Sequence, residues 1–499
     1  MKKISKIIIG TILLVLANIL FITITWLKVQ FGDVKFAEII FQLMIPLKGS
    51  NISVFQKFGI FCIIVAILMA VPGIILAIKE DIRLVSALHI RKKYILGPIK
   101  LWRRFYPLVT TCILMAAVIY GLVSLEVPDY IKSNLQSSTI FEEYYVDPKE
   151  ANITFPEEKR NLIYIFMESM EDSYMSRELG GAKPYNLIPE LTELQLSNTN
   201  FSASGKISGG IAATGSTWTV GAIVAQTAGI PLSIPIDGNS MNKYNSFLPG
   251  AYSIGDILNS QGYQQVFLVG SDAVYGGRLN YMSQHGNYAV EDYNYAIEKG
   301  WIDPDYHVFW GYEDQKLYNN AKEELTRLSE SNQPFNLTML TVDTHYVGGY
   351  RCEQCGYEYG DQYSNVIACG SKQLVNFISW IKQQPFYENT TIVISGDHPT
   401  MDSKYMKYKP TGYQRKVYST IINSTVEYSL DFDRNFTTMD MFPTTLASLG
   451  VDIEGNRLGL GTNLFSETPT LLEEMGLTEL NNQLKRNSLY YNEKLLYKY

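Results

Sequence analysis

Hydrophobic residues are concentrated near the start of the chain, in three windows that contain no charged residue. The windows run from Ile7 to Leu27, from Phe58 to Ile78 and from Phe105 to Leu125, and each is 21 residues long. A helix of this length rises about 30 Å, which matches the hydrocarbon core of a bilayer. Core helices of soluble proteins rarely run so far without a polar face. We therefore predict a membrane anchor over residues 1–126, with three transmembrane helices at about residues 7–27, 58–78 and 105–125.

After the third window the pattern changes to short apolar runs that alternate with amphipathic helices. Residues 127–160 mix Pro, Glu, Asn and Ser without periodicity, which predicts a linker. Four apolar runs typical of buried strands follow, at residues 161–167, 265–269, 335–342 and 391–395. Helical patterns at residues 315–328 and 371–384 lie between them. This alternation predicts an α/β domain over residues 161–465, with a central sheet flanked by helices, and a helical extension over residues 466–499.

The charge of the chain divides at the same place as its hydrophobicity. Residues 1–126 carry 15 Lys or Arg and 5 Asp or Glu, a net charge of +10, so the net charge of −7 for the whole chain leaves −17 for the remainder. Eight basic residues lie between Lys79 and Arg104, and three lysines precede the first window. Basic segments stay in the cytoplasm, which predicts a cytoplasmic N-terminus and an extracytoplasmic domain after the third span. An acidic domain repels phosphate backbones, which argues against a nucleic-acid partner.

Three of the five cysteines lie in the predicted outer domain, at Cys352, Cys355 and Cys369. In an oxidising compartment such an odd set is expected to form one disulfide and leave one thiol, although the sequence does not show which residues pair. The alternative is a zinc site built on the CxxC motif, for which no fourth ligand is evident at a suitable spacing.

Polar residues follow the predicted strands where each strand ends. Glu168 follows the first strand, Asp272 the second, Asp343 and His345 the third, and Asp397 with His398 the fourth. Sites in open α/β sheets form beyond the carboxyl ends of the strands. A lone Glu at the end of a strand is more often a helix cap or an ion-pair partner than a metal ligand. However, two of the five histidines directly follow predicted strands, and this placement favours a divalent-metal site of mixed oxygen and nitrogen ligands.

A loop of small residues at 209–219 leads into an apolar helix predicted over residues 220–228. Thr219 lies near the start of this helix, where unpaired N–H groups and the helix dipole favour anions. Its hydroxyl is either a helix N-cap, which is the commoner role, or a nucleophile if a metal lies beside it. The pattern alone leaves both interpretations open.

Six motifs in a fixed order resemble one family. They are NLIYIFMES at 161–169, TWTVGAIVAQTAGIPL at 217–232, GSDAVYGGRLNYMSQHG at 270–286, VDTHYVGGY at 342–350, GDHPTM at 396–401 and RLGLG at 457–461. Together they resemble the lipoteichoic acid synthase-like phosphoglycerol transferases, sulfatase-like members of the alkaline phosphatase superfamily, and most of all those that decorate periplasmic glucans. The resemblance covers about residues 140–465 and implies an alkaline phosphatase/sulfatase-like sheet.

The resemblance also implies a set of site residues. A divalent ion is expected at Glu168, Thr219, Asp397 and His398, with Thr219 as the nucleophile and Mn²⁺ as the favoured ion over Mg²⁺ or Zn²⁺. Thr214, Ser216 and Thr217 lie close to Thr219 and are the alternative nucleophiles. The substrate head group is expected to bind at Arg278, His345 and His285.

The function that the resemblance implies is a membrane-bound phosphoglycerol transferase. Such an enzyme moves glycerol phosphate from phosphatidylglycerol, through a covalent threonine intermediate, to a hydroxyl of a cell-envelope glycan or glycolipid. The alternatives are a lipoteichoic acid polymerase, a phosphoethanolamine transferase or sulfatase-like hydrolase, and an inactive receptor or scaffold on the same fold. None of the five cysteines is followed by the x-Pro-x-Arg context that a formylglycine sulfatase needs.

Overall fold

The computed structural model describes residues 2–31, 34, 36–44, 52–78, 97–233, 246–331 and 333–496. The chain forms two compact units. The first comprises Met1–Ile39 and Asn51–Ile131, and the second comprises Ile40–Ser50 and Lys132–Tyr499.

Long apolar helices make up the first unit. The helices in this part of the chain are α1 (Lys2–Phe31), α2 (Phe36–Met44), α3 (Ile52–Ile78) and α4 (Gly97–Ser124). Three of them contain segments long and apolar enough to cross a membrane, at Ile4–Val29, Phe58–Ile75 and Phe105–Ser124. These segments confirm the three predicted helices. Helix α4 is kinked at Phe105, two residues before Pro107, because proline cannot maintain the regular helical hydrogen bonds.

The second unit is built on a six-stranded sheet. The strands of this unit are β1 (Ile153–Thr154), β2 (Asn161–Met167), β3 (Gln264–Val269), β4 (Ala289–Glu291), β5 (Phe335–Leu340), β6 (Thr390–Gly396), β7 (Ser419–Ile422), β8 (Asp452–Ile453), β9 (Arg457–Leu458) and β10 (Gly461–Thr462). The central sheet has the order β4-β3-β5-β2-β6-β7, in which β7 alone runs antiparallel to its neighbour.

Helices connect and cover the strands. Helix α5 (Val127–Asn134) lies mostly in the first unit, which ends at Ile131. The helices of the second unit are α6 (Ile140–Tyr144), α7 (Pro189–Leu196), α8 (Thr219–Ala228), α9 (Ile254–Ser260), α10 (Arg278–Gln284), α11 (Tyr293–Lys299), α12 (Asp314–Ser329), α13 (Gln362–Ile381), α14 (Met441–Ser448) and α15 (Leu471–Lys485), with a π-helical turn at Tyr491–Leu496.

The apolar run of β2 is continuous because both faces of the sheet are covered. Leu162, Tyr164 and Phe166 point into one hydrophobic core, whereas the intervening Ile163 and Ile165 point into a second core. Alternate residues of a strand face opposite sides of a sheet, so a strand between two cores must be apolar throughout. The predicted α/β fold with a helix-flanked sheet is therefore confirmed.

The structure corrects the prediction of a linker over residues 127–160. Helix α6 buries Ile140 and Phe141 in a hydrophobic core. Val146 pairs with Gly459, and β1 pairs with β8. The lack of periodicity in this segment reflects short elements that each bury only one or two side chains. Helix α15 lies within residues 466–499, for which we predict a helical extension, and its buried leucines belong to the same core; residues 497–499 lie outside the described part of the chain.

The cysteine prediction also needs correction. Within the described part of the chain, Cys352, Cys355 and Cys369 are all free thiols, and all three are buried. Their sulfur atoms lie together without forming the expected disulfide.

If residues 137–155 are an integral part of the domain, removing the Phe141 ring should destabilise the protein. Phe141 is 4% exposed and contacts the rings of Tyr145, Tyr490 and Tyr491. We expect Phe141→Ala to lower the free energy of unfolding by about 3 kcal/mol, measured by chemical denaturation of the full chain in detergent. The control is Tyr408→Ala, whose ring is 79% exposed. Equal effects of the two substitutions would mean that the segment is a linker after all.

Candidate active site and metal centre

Two acidic residues meet where β2 and β6 end. The parallel register pairs Met167 with Gly396, so the next residues, Glu168 and Asp397, leave the sheet side by side. Both are buried, with 2% and 0% of their surface exposed. His398 follows directly and brings an imidazole to the same edge. This is the carboxyl edge of the parallel strands, where the sequence predicts a site.

The four predicted metal ligands lie together, since Glu168, Asp397 and His398 have ligand atoms within 4.8 Å of one another and Thr219 contacts two of them. His398 Nε2 is 3.7 Å from Glu168 Oε1 and 3.4 Å from Asp397 Oδ2. Thr219 Oγ1 is 3.4 Å from His398 Nε2 and 3.5 Å from Glu168 Oε2. We call Glu168, Thr219, Asp397 and His398 the candidate metal site.

This donor set fits a divalent cation. Ligands about 2.1 Å from an ion at the centre of a tetrahedron are about 3.4 Å apart, close to the spacings that surround His398 Nε2. Asp397 Oδ2 is buried, and no described residue donates a hydrogen bond to it. Such an oxygen is costly unless a cation or another partner satisfies it. Carboxylate, hydroxyl and imidazole donors suit Mn²⁺, Mg²⁺ or Zn²⁺.

Ser169 orients both carboxylates, a role that the sequence analysis missed. Its hydroxyl donates to Glu168 Oε1 at 2.7 Å, and its backbone N–H donates to Asp397 Oδ1 at 2.7 Å. The residue has a φ of 53°, a left-handed conformation that is costly for a non-glycine residue. The Tyr174 hydroxyl donates to its carbonyl at 2.9 Å and helps to hold this turn. In the sequence, the only signal for the role of Ser169 is its position directly after Glu168 in the first motif.

Hydrogen bonds to backbone carbonyls fix the tautomers of two histidines. Nδ1 of His398 lies 3.0 Å from the Pro399 oxygen, and Nδ1 of His345 lies 2.6 Å from the Tyr346 oxygen. A carbonyl only accepts, so the proton of the neutral imidazole sits on Nδ1 in both cases. Nε2 of His398 is then a lone-pair donor directed at the candidate metal site, as a metal-ligating imidazole requires.

Thr219 is the first residue of α8, with Trp218 as the N-cap residue, so the capping interpretation of its hydroxyl does not hold. Gln226 ties this helix to the sheet, because its amide donates to the Gly396 carbonyl and accepts from the Tyr164 hydroxyl. The helix is therefore positioned relative to the strand that carries Asp397.

Two alternative nucleophiles are engaged elsewhere. The Thr214 hydroxyl donates to Asn481 at 2.9 Å, and the Ser216 hydroxyl donates to the Ala213 carbonyl at 2.9 Å. Thr219, by contrast, contacts Glu168 and His398 directly. The geometry thus favours Thr219.

Arg278 and His345 both lie close enough to Glu168 for their charges to interact with it. The Arg278 guanidinium is buried and donates to the carbonyls of Tyr275 and Asp272, at 3.0 and 2.8 Å. Its charge is close enough to interact with Glu168. Burial lowers the pKa of His345, although the Glu168 carboxylate opposes this shift, so its imidazole is neutral near pH 7.

The structure does not bring His285 to this site, which corrects its assignment as a substrate-binding residue. His285 follows the last turn of α10. Its Nδ1 lies 3.2 Å from Asp256 Oδ2, and its Nε2 lies 2.7 Å from the Phe247 carbonyl oxygen. The first contact joins His285 to α9, and the second joins it to the segment that contains Phe247. Both ring nitrogens of His285 are thus occupied.

The two buried carboxyl groups differ in how readily they ionise. For Glu168, burial raises the pKa, but His345, His398 and the Ser169 hydroxyl together outweigh it, so the pKa lies below its usual value. For Asp397, burial and the nearby charge of Glu168 raise the pKa to about 7. The second carboxyl therefore gives up its proton only near neutral pH, unless a cation offsets the charge of the first.

The fold and the site together define an α/β domain of the alkaline phosphatase and sulfatase type, with a carboxylate and histidine centre. Comparison with known families agrees. The Sulfatase family matches residues 160–419, which is more than half of the chain. The protein belongs to the Sulfatase family, and it has three helices that are long and apolar enough to cross a membrane.

Similar proteins extend this comparison. Phosphoglycerol transferase I of Salmonella choleraesuis strain SC-B67 is 31% identical over 372 residues, which cover 72% of this chain and 46% of the relative. Phosphoglycerol transferase I of Salmonella typhi is 30% identical over the same length. The chain thus spans about half the length of the curated relatives it matches.

Two solved structures share the fold. The lipoteichoic acid synthase LtaP of Listeria monocytogenes has a TM-score of 0.51 and 18% identity, with 66% of this chain and 80% of that chain covered. The lipooligosaccharide phosphoethanolamine transferase A (EptA) of Neisseria meningitidis has a TM-score of 0.52 and 11% identity, with 96% of this chain and 87% of that chain covered.

The raised pKa of Asp397 predicts how metal binding depends on pH. Below about pH 7 a cation must displace the proton of Asp397, so the affinity for Mn²⁺ should fall by about tenfold per pH unit. Above pH 7 the affinity should level off. Electron paramagnetic resonance of free Mn²⁺ in titrations of the full chain between pH 5.5 and about 8.5 measures this dependence, the range spanning the Asp397 transition.

The matched control is Asp397→Asn, which keeps the size of the side chain but cannot ionise. This variant should bind Mn²⁺ at least about 100-fold more weakly, because it removes a charged ligand. A pH-independent affinity in the unaltered protein, or full binding by the variant, would exclude Asp397 as a ligand.

Proposed function

We propose that this protein is a membrane-bound phosphoglycerol transferase. In this proposal it moves glycerol phosphate from phosphatidylglycerol to a hydroxyl of a cell-envelope glycan or glycolipid. The observation that carries the proposal is the position of the Thr219 hydroxyl, in contact with both Glu168 and His398. The similarity to proteins named phosphoglycerol transferase I, over 72% of this chain, supports the choice of the transferred group.

The reaction that we propose has two steps. In the first, Thr219 Oγ1 forms a bond to phosphorus while the bond from phosphorus to the diacylglycerol oxygen breaks. Diacylglycerol leaves with a proton, and the phosphoglycerol group remains on Thr219 as a phosphodiester. In the second, the acceptor hydroxyl forms the new bond to phosphorus, the bond to Thr219 breaks, and Thr219 regains its proton.

Each of the two steps also moves a proton, away from Thr219 in the first step and back to it in the second. Thr219 loses a proton and the diacylglycerol oxygen gains one, and then the acceptor loses a proton and Thr219 regains one. We assign this transfer to His345, because its Nδ1 is held by the Tyr346 carbonyl and its Nε2 is left as the acceptor. An imidazole that is neutral near pH 7 is suited to accept and return a proton.

Three positive features surround the transferred group. A divalent ion at the candidate metal site would supply Lewis-acid charge that lowers the pKa of the Thr219 hydroxyl, and we propose Mn²⁺. We assign binding of the phosphate oxygens to the Arg278 guanidinium, and its hydrogen bonds to the carbonyls of Tyr275 and Asp272, which hold it in one orientation, support this role. The N-terminus of α8 adds its dipole at Thr219 itself.

We further propose that the globular unit lies outside the cytoplasm. The basic residues between Lys79 and Arg104 support a cytoplasmic loop between the second and third spans, and three spans then place the two ends of the anchor on opposite sides. A lipid donor in the outer leaflet presents its head group on the same side as such a domain.

The decisive test uses the full chain in vesicles with phosphatidylglycerol labelled in its head group and added Mn²⁺. We expect diacylglycerol release and transfer of the label to the protein. Thr219→Ala should reduce the release of diacylglycerol by at least about a thousandfold and abolish protein labelling, because it removes the nucleophile. Thr214→Ala, which alters a neighbouring hydroxyl bonded to Asn481, should retain both.

Each part of the proposal fails in its own way. Labelling that persists in Thr219→Ala would exclude this residue as the nucleophile. Turnover of phosphatidylethanolamine in place of phosphatidylglycerol would change the donor. Unaltered activity after treatment with a chelator would exclude the metal-assisted mechanism.

A further inference from the structure

A second group of metal-binding side chains lies apart from the candidate metal site. Cys352, Cys355 and Cys369 are buried, and their sulfur atoms all lie within 4.8 Å of one another. We call these three residues the cysteine cluster. Two of them belong to a loop after β5, and the third lies on α13. The cluster forms a small core of its own, separate from the two cores that cover the sheet, with Tyr350 packed against it.

The spacing of the sulfur atoms is that of ligands around one ion. Cys352 Sγ is 3.6 Å from Cys355 Sγ and 3.8 Å from Cys369 Sγ. With zinc–sulfur bonds of about 2.3 Å, two ligands of a tetrahedron lie about 3.8 Å apart. A disulfide would bring one pair to about 2 Å and leave the third sulfur out. Here one sulfur is instead almost equally distant from both others.

A buried amide faces the same sulfur atoms. Gln373 lies one turn after Cys369 on α13, and its Nε2 is 3.3 Å from Cys369 Sγ and 3.6 Å from Cys352 Sγ. It is 6% exposed, and no described residue donates a hydrogen bond to its Oε1. In its present orientation the Gln373 amide can donate hydrogen bonds to thiolates. If the amide group rotates so that its nitrogen and oxygen exchange places, Oε1 points to the ion instead. Both arrangements stabilise a charged site. No fourth His, Cys, Asp or Glu joins the cluster among the described residues.

The contacts that hold the loop outside the cysteines lie at its end, where Tyr359 exchanges hydrogen bonds with Asn365 of α13 and Glu358 pairs with Lys372. The first part of the loop depends on the two cysteines. Residues 351–360 form no helix or strand, and Cys352 and Cys355 are the only buried residues among the ten. Tyr357, in the same segment, is 76% exposed. Three neutral thiols bury little apolar surface, so they stabilise such a loop weakly. An ion bound to all three would fasten the loop to α13.

We propose that Cys352, Cys355 and Cys369 bind a structural Zn²⁺ ion that fastens the 351–360 loop to α13. Three thiolates are soft ligands, which favour zinc over the Mn²⁺ proposed for the oxygen-rich site. The ion has no part in the chemistry proposed for Thr219. Tyr350 packs on the cluster and stacks on Phe309, 6.3 Å away, and Phe309 lies 6.2 Å from the His345 ring. The ion therefore also supports the loop that carries His345, a consequence that rests on the proposed function.

Metal analysis of the full chain in detergent tests this proposal without any assay of activity. The protein is purified without chelator, dialysed against metal-free buffer, and its metals are counted by mass spectrometry. Relative to the unaltered protein, Cys355→Ser should lose one equivalent of zinc. Asp397→Asn, which alters only the other site, should keep that equivalent, and so should Cys112→Ser, a control for loss of a thiol in the anchor.

Three measurements on the protein with its cysteines intact cover the case in which Cys355→Ser fails to fold. In Asp397→Asn loaded with Co²⁺, we expect the absorption of thiolate-to-cobalt charge transfer. In the zinc-loaded protein, a thiol reagent should release one zinc as three buried thiols react, and a chelator should speed that reaction. Zinc release should also make the 351–360 loop more sensitive to protease.

Three results would overturn the proposal. One is a disulfide between any two of the three cysteines in the freshly purified protein, seen by mass spectrometry of its peptides. Another is copper in place of zinc. The third is reduced thiols with no bound metal and no cobalt absorption after loading. Each result is independent of whether phosphatidylglycerol is the donor, so failure here is distinguishable from failure of the proposed function.

Discussion

The pairing of Met167 with Gly396 is the constraint on which the site depends. It places two acidic side chains, Glu168 and Asp397, at adjacent strand ends with almost no access to water. Two like charges in such a place repel each other, and burial weakens the hydration of both. Asp397 responds with a raised pKa, and its Oδ2 has no hydrogen-bond donor among the described residues. A cation resolves both difficulties at once.

The two cores of the domain make that arrangement rigid. Apolar side chains on both faces of β2 fix its register against β5 and β6, so the strand ends cannot slide apart. Gln226 joins α8 to β6, and this connection sets the position of Thr219 relative to Asp397. The left-handed turn at Ser169 is held by Tyr174. The protein scaffold thus preorganises the residues of the site before a ligand binds, as catalysis by precise positioning of reacting groups requires.

Local patterns were sufficient for the parts of the fold that are buried on both sides. The apolar run predicted at residues 161–167 coincides with β2. The run at 335–342 begins with β5 and ends two residues after it, and the run at 391–395 is one residue shorter than β6 at each end. The edge strands β4 and β7 were missed, because three- and four-residue strands carry too little pattern. The pattern of residues 127–160 predicts a linker because the few buried residues of this segment, such as Phe141, contact partners far along the chain.

For the site residues as well, the sequence reveals those with a local pattern and not those whose role depends on contacts formed in the fold. Glu168, Asp397 and His398 were recognisable, because each follows a strand directly and parallel strands share one edge. Ser169 was not, because its role depends on a backbone conformation and on contacts with both carboxylates. His285 was misassigned because motif order carries no information about direction, and its ring turns toward Asp256 and Phe247.

The two proposed metal sites differ in their ligands, and this difference bears on which ion occupies each. One site offers carboxylate, hydroxyl and imidazole donors, whereas the other offers three sulfurs, so the softer ion gains most at the sulfurs. Affinity alone would favour Zn²⁺ over Mn²⁺ at both sites, so ligand type and metal supply must separate them. A sulfur site that binds zinc more tightly than the oxygen-rich site fills first when zinc is limiting, which would leave the oxygen-rich site to the weaker-binding Mn²⁺. Cys352 and Cys355 follow His345 closely in the chain. Zinc bound at the sulfur site would therefore also stabilise the segment that carries His345.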